Sequence, residues 1–398
     1  MKEIHDIPKG WKYLILNKLI IRDVKNGYSP NCPEQPNGSW ILSLGNLTEN
    51  GFDPTQAKPA PMDDDRVKDF LLEPGDFLIS RSNTLDKVGR SVLFRGEIEN
   101  CSYPDLLMRF RVDESQITNE FLEGYLRGSI VRKYIQSCAS GTSGSMVKIN
   151  KTVVEKIPVV LPPLPEQKAI ADLLSTWDKA IGKTERLIQA KERRFKWLLQ
   201  ELISEPRNTL NGAKWEVVKL GELFGKDIKV EKGKVLAKDS NSDGRIPVVA
   251  GGQTYAYFTS CLTHDVPTVT ISASGAYAGF VWYHDYPIWA SDCIVIYATV
   301  GVTKFLYFTL KAIQHKIYAL QSGGAQPHVY SKDLKNLLVV WPSPEHQQQT
   351  AETLSSAQHE IVLLKQLAEQ YKAQKRGLMQ KMLTGEWRVK QEVVKRYA

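Results

Sequence analysis

PPLPEQKAIADLLSTWDKAIGKTERLIQAKERRFKWLLQELI, residues 162–203, returns as PSPEHQQQTAETLSSAQHEIVLLKQLAEQYKAQKRGLMQKML, residues 342–383, at a constant offset of 180 and without a gap. Nine of the 42 positions are identical, among them Pro162/Pro342, Gln167/Gln347, Leu174/Leu354 and Ile181/Ile361. The apolar pattern carries more weight than the identities. Steps of 4, 3, 4, 3 run Ile170, Leu174, Trp177, Ile181, Thr184, Ile188, Lys191, Phe195, Leu198, Leu202. The second copy runs Thr350, Leu354, Ala357, Ile361, Leu364, Ala368, Tyr371, Lys375, Leu378, Met382. A 3.5-residue period held this long marks a seam between packed helices. Two such helices in one chain predict an internal coiled coil. Pro165-Glu166 and Pro344-Glu345 suit helix starts, where proline loses no needed donor and an acid complements free N–H groups. A helix from Glu166 to about Ile203 would be roughly 57 Å long at ~1.5 Å per residue.

Upstream of each helix stands a globular segment opened by a tryptophan. Trp11-Lys12-Tyr13-Leu14-Ile15 resembles Trp215-Glu216-Val217-Val218-Lys219, and each segment closes at a proline-rich hinge, residues 157–165 and 338–344. From Trp to the first aligned Pro is 151 residues in one half and 127 in the other. The helices keep their length while the heads vary, which suggests a fixed spacer carrying two diversified heads. Boundaries are placed at 1–160 (first head), 161–206 (first helix), 207–340 (second head) and 341–398 (second helix and tail). Short β-prone runs at 76–80, 91–94 and 108–112 are matched by 268–272, 279–283 and 293–297. One helix is expected late in each head, over 120–136 and 304–320. The fold class is therefore mixed α/β (α+β), two heads plus two long helices in an antiparallel pair.

At 398 residues there is material for two cores. No apolar run reaches the ~18 residues of a membrane span, and the N-terminus lacks a signal core, so a cytoplasmic protein is expected. The five cysteines form no CxxC pair; they read as small buried residues rather than metal ligands or disulfides. Net charge is +8 overall but zero over 1–160. That mild excess favours a polyanionic partner only slightly.

The hinge-to-helix segment 162–174 with Asp178 and Ile181, and the stretch Leu378-Met379-Gln380-Lys381-Met382-Leu383-Thr384-Gly385-Glu386-Trp387-Arg388-Val389, resemble the specificity subunit of a Type I restriction-modification system. The likeness covers nearly the whole chain. It departs at the second hinge, where His346 stands for Glu166 and Gln358 for Asp178. The resemblance implies two target-recognition domains, each reading half of a bipartite site on double-stranded DNA, and a helix pair acting as a ruler. It implies two methyltransferase subunits and restriction/translocase subunits as partners. S-adenosylmethionine, ATP and Mg are then expected on those partners, with no cofactor and no catalysis on this chain. No P-loop, HExxH or amino-methyltransferase signature is present. The alternative is a non-enzymatic coiled-coil adaptor with two protein-interaction domains.

In the first head the best reading segment is 75–90, where a strand delivers a polar, basic loop: Arg81, Ser82, Asn83, Thr84, Lys87 and Arg90. Arginine pairs bidentately with guanine or phosphate, and asparagine with adenine. The second-head analogue, 271–279, offers Ser272, Ser274 and Tyr277 and has no arginine. Further candidates are Gly252, Gln253 and Tyr255 in a Gly-rich turn, and two pre-hinge loops carrying Ser143 and Lys148, and Gln326 and His328. Backbone N–H groups in such turns can cradle a phosphate. An ordinary surface turn is the competing reading for each. The aromatic stretch 281–289 reads as core packing or as a stacking surface. Glu166, Gln167 and Gln347, with the exposed helix faces, are expected to dock methyltransferase. The histidines lack metal-ligand spacing, and no metal site is expected.

Overall fold

The structure, a computed structural model, describes residues 7–49, 51–141, 146–204, 215–236 and 244–398. It divides into two units, 1–183 with 368–398 and 184–367. Both long helices, Leu164–Leu199 and Pro344–Leu383, supply residues to each unit. The first continues into a π-helical turn, Gln200–Ser204.

The first unit is built on an antiparallel sheet in the order Ile20–Asn26, Leu107–Val112, Phe77–Ser80, Ser91–Leu93. The central strand Phe77–Ser80 is buried at every position, so it reads as a continuous apolar run rather than an alternation. Its Phe77 stacks on Phe110 at 5.3 Å. Helix Asn119–Arg127 covers one face through Phe121, Leu122 and Tyr125. A smaller cluster around Leu42, Leu78, Phe94 and Tyr103 lies on the other side. Lys12–Ile15 pairs antiparallel with the hinge strand Pro158–Leu161, so the opening tryptophan segment and the hinge are one ribbon.

The second unit repeats this plan. Its sheet runs Ile228–Lys232, Cys293–Ala298, Thr268–Ser272, Val281–His284, all antiparallel. Val217–Lys219 pairs with the hinge strand Leu338–Val340. The strand leaving the first sheet position turns at Gly27 in one head and Gly233 in the other. A Cβ there would stand 2.2 Å from the Tyr103 carbonyl oxygen or 1.8 Å from that of Ser291. Only glycine allows so close a backbone approach.

The single helices expected over 120–136 and 304–320 are each two. Asn119–Arg127 and Ser129–Cys138 break at Gly128, whose extended backbone ends the first helix. Thr303–Ala312 and Gln314–Tyr318 break at Ile313. Of the cysteines, Cys101 and Cys293 are buried on strands, Cys138 is partly buried, and Cys32 and Cys261 are exposed, so the burial expectation holds fully for only two of the five. Both exposed cysteines lie in loops outside the sheets, beyond the apolar cores.

Within each unit the two long helices pack antiparallel. In the first, Trp177 meets Tyr371 edge-on and Asp178 pairs with Lys375. In the second, Lys191 pairs with Glu360 at 2.6 Å and Glu192 with Lys365 at 2.7 Å. The lysines at two seam positions, Lys191 and Lys375, are thus each answered by a carboxylate on the facing helix. Such polar seam pairs specify register at some cost in stability.

Candidate nucleic-acid interface

Each head closes its candidate loop on the same frame. In the first, Ser80 N–H donates to the Arg90 carbonyl and Gly89 N–H to the Ser80 carbonyl, both at 2.8 Å. In the second, Ser272 N–H donates to the Phe280 carbonyl at 3.0 Å and Gly279 N–H to the Ser272 carbonyl at 2.7 Å. Gly89 and Gly279 both have positive φ, +71° and +89°, which favours glycine. Between the fixed serine and the fixed glycine lie residues 81–88 in one head and 273–278 in the other. The frame is shared; the loop it holds differs in length and chemistry.

The pre-hinge segments join these loops. Val147–Lys148 pairs antiparallel with Ser82–Asn83, and Ile149 N–H donates to the Arg81 carbonyl at 2.9 Å. Likewise His328 bridges Ser274, and Val329 N–H donates to the Ala273 carbonyl at 3.0 Å. Ser140 bridges Lys148 as Ser322 bridges His328. In the second head a third loop joins, because the Ser272 hydroxyl donates to the Gly251 carbonyl at 2.8 Å. Gly251, the loop 273–278 and the pre-hinge segment at Ser322 and His328 are therefore tied to one another.

Among the candidates, Lys87, Lys148, Gln253, Tyr255, Tyr277 and Gln326 are exposed. Arg81, Asn83, Thr84, Arg90, Gly252, Ser274 and His328 are partly exposed. Arg81 Nη1 lies 3.5 Å from the Asp105 carbonyl, and Ser274 Oγ donates to Asp292. Ser143 lies outside the described residues. Ser82 and Ser272, expected to face DNA, are instead buried, at 2% and 3% exposure. Both sit in paired β backbone with inward side chains: Ser272 is the frame serine itself, and Ser82 lies at the start of the loop where it pairs with Lys148.

The docking expectation for Glu166, Gln167 and Gln347 is also corrected, since all three are buried. Glu166 accepts the Trp11 indole N–H at 3.0 Å and a forked pair from Arg388 at 2.8 and 2.6 Å. That contact fastens the first head, the first helix and the tail of the first unit. Gln167 Oε1 accepts Thr118 N–H, while its amide donates to the Gln116 and Pro162 carbonyls, all at 2.9 Å. Gln347 repeats the device on Val302 N–H at 3.0 Å and the Pro342 carbonyl at 2.9 Å. A helix-start glutamine locks each head to its helix. With no carboxylate at His346, Trp215 packs against the imidazole instead.

Sequence reasoning missed Asp86, an exposed loop carboxylate held below its ordinary pKa chiefly by the Thr84 hydroxyl. A carboxylate in a reading loop can accept from cytosine N4. Reading the segment for cations and neutral polar groups passed over it. The 281–289 stretch packs internally at both His284 and Trp282. His284 is fully buried, bonded to the Thr270 hydroxyl at 2.8 Å, and its pKa is lowered to about 4 by burial. Trp282 is partly exposed and stacks on Tyr255 at 5.0 Å, beside the second-head loops. Among the described residues no cluster of three His, Cys, Asp or Glu side chains can hold a metal. No helix there is long and apolar enough to cross a membrane.

Two heads on one plan, each presenting a variable polar loop from a fixed frame, define a class of modular recognition protein. The family model for the Type I restriction modification DNA specificity domain matches twice, over residues 37–192 and 213–373, and the chain belongs to that family. It is 24% identical over 413 residues to a protein assigned as the MjaX type I restriction enzyme specificity subunit of Methanocaldococcus jannaschii, covering 98% of this chain and 96% of that one. It is 20% identical over 192 residues to the EcoEI type I restriction enzyme specificity subunit of Escherichia coli, spanning 47% of this chain and 32% of that one. In fold it is similar to the S subunit of a Type I restriction-modification system from M. genitalium, with a TM-score of 0.63, 17% identity, and coverage of 95% and 97%.

Proposed function

We propose that this chain is the sequence-reading, non-catalytic subunit of a Type I restriction-modification complex in the cytoplasm. Each head reads one half of a bipartite site on double-stranded DNA. The observation that carries this is the repeated frame: the same Ser–Gly closure holds chemically different loops in two heads of one plan. A recognition protein needs that division, because fixed backbone positions the loop and variable side chains discriminate bases. The first head, with Arg81, Asn83, Lys87 and Arg90, suits guanine, adenine and phosphate. The second, with Gln253, Tyr255, Ser274 and Tyr277, suits contacts with less cationic character.

The two long helices set the separation of the half-sites. Half-sites about one turn apart, ~10 bp centre to centre, present the same face of the duplex. Exposed helix faces, rather than Glu166, Gln167 or Gln347, dock two methyltransferase subunits. Restriction/translocase subunits complete the assembly. S-adenosylmethionine, ATP and Mg reside on those partners. The adaptor alternative is weakened by family membership.

Single-molecule methylome sequencing of the source cell, with and without this chain, tests the reading. Loss of one bipartite adenine-methylation motif is expected. An unchanged methylome in a cell whose methyltransferase is expressed would refute it.

A further inference from the structure

The first-head loop is also gripped from behind by side chains of a helix. In the second head a helix residue grips the frame that closes the loop, while Gln321, just past that helix, reaches the loop's last residue. The first-head loop 84–88 makes a single turn, with Lys87 and Val88 N–H both donating to the Thr84 carbonyl. A one-turn segment leaves its later carbonyls without partners of its own. Helix Ser129–Cys138 supplies them. Arg132 forks onto the Asp86 and Val88 carbonyls, and Gln136 reaches that of Leu85 at 3.4 Å. In the second head Gln314 donates to the Gly279 carbonyl at 2.7 Å and accepts Val281 N–H at 3.1 Å. Gln321 donates to the Ala278 carbonyl at 2.7 Å.

Arg132 and Gln314 occupy the same place in the two plans. Each stands three residues before an isoleucine, Ile135 or Ile317, that packs on the frame glycine, Gly89 or Gly279. The two heads therefore share a brace position as well as a frame, and its side chain changes with the loop. Arginine, with five donors in a rigid fork, spans two carbonyls of the longer loop. Glutamine, with a donor and an acceptor, clamps the closure of the shorter loop, at the carbonyl of the frame glycine Gly279 and the N–H of Val281 on the next strand.

We propose that Arg132 and Gln314 are positioning residues for base selectivity, Arg132 setting the loop of its head directly and Gln314 through the frame residues that close it, neither contacting DNA. This rests on the reading of the chain as a two-headed DNA-recognition subunit. Base discrimination depends on hydrogen-bond geometry at the groove, and a loop freed at two of its carbonyls, or at the frame that closes it, samples several geometries. Loosening the brace then blurs selectivity at one half-site and leaves phosphate attraction, and hence the salt dependence of binding, in place.

The test uses the chain assembled with its methyltransferase subunits on a randomised duplex library, with methylated products sequenced. Arg132→Met should reduce discrimination against wrong bases in the first half-site by about tenfold and leave the second unchanged. Gln314→Leu should do the reverse. Arg132→Lys, which keeps the charge but not the fork, should fall between. Gln136→Leu, a change at an exposed side chain, gives a milder version should Arg132→Met fail to assemble. Equal loss at both half-sites, or selectivity intact in Gln136→Leu and Arg132→Lys, would overturn the proposal. If the unmodified complex itself yields no bipartite motif, the functional reading fails and this inference with it. A normal wild-type motif beside unaltered variants sinks the inference alone.

Discussion

Replacing Gln167 by leucine isolates the lock between helix and head. Leucine has nearly the same helix propensity and a similar size, so the helix start survives. What is lost is a buried amide making three hydrogen bonds of 2.9 Å. Gln116 is exposed, so water can replace its lost partner. The Thr118 N–H and the Pro162 carbonyl are left beneath the helix with nothing to bond. Each stranded group costs about 1–3 kcal/mol, so roughly 3 kcal/mol of local stability should go. Because 1.4 kcal/mol is a factor of ten, the Thr118 amide should exchange with deuterium about a hundredfold faster. Gln347→Leu removes two bonds rather than three and should cost about 2 kcal/mol, read at the Val302 amide. Hydrogen exchange on the folded chain measures both. Acceleration below about threefold at Thr118, with the fold retained, would refute the lock. Methyltransferase binding lost while exchange stayed unchanged would restore a docking role for Gln167.

Arg81→Ala combined with Arg90→Ala should weaken recognition of one half-site only; competition binding against half-site mutants checks it, and equal weakening of both would remove that loop from the interface. Arg388→Ala strands the Glu166 carboxylate with only the Trp11 indole, and a cost of about 2 kcal/mol is expected, reduced because Arg388 is a third exposed. Urea unfolding measures it, and limited proteolysis should find the tail beyond residue 384 newly cleavable. His284 is depressed to about 4 from 6.5, so the folded state holds fewer protons between those values. Stability of the second unit should fall as pH drops through that window, by about 3 kcal/mol once below 4. Its pH-titrated unfolding should flatten in His284→Phe; an unchanged slope would exclude burial of the neutral imidazole as the cause. Glu231 is lowered to about 2, first by the Lys229 hydrogen bond and then by that from His264. Its contribution is present above the ordinary carboxylate range and is lost as pH falls toward 2, so Glu231→Gln should make acid unfolding less steep below about pH 4.5.

The periodic helices were legible in the sequence because period is a one-dimensional property: a seam every 3.5 residues is visible before any packing is known. The duplication was legible for the same reason, since offset, hinge prolines and opening tryptophans all lie on the chain itself. So were the central strands, where β-prone runs at 77–80 and 268–272 are bounded by turn residues. Family resemblance rested on the hinge-to-helix segment 162–174 and on residues 378–389.

What only the tertiary structure decided was the direction in which each side chain points and what it meets. Ser82 and Ser274 look alike in sequence and occupy equivalent places, yet Ser82 is buried and Ser274 partly exposed. Glu166 and Gln167 stand at a helix start, where charge and polarity suggest solvent. Their burial depends on Arg388, more than 200 residues downstream, and on the Thr118 backbone of the head. The brace at Arg132 and Gln314 was invisible for the same reason. The two residues share no identity, sit at different offsets from the helix repeat, and are equivalent only because Ile135 and Ile317 pack on glycines that close the same frame. Local pattern records which faces are apolar. Long-range hydrogen bonds between groups far apart in sequence decide which polar residues hold the fold together and which remain exposed for a partner.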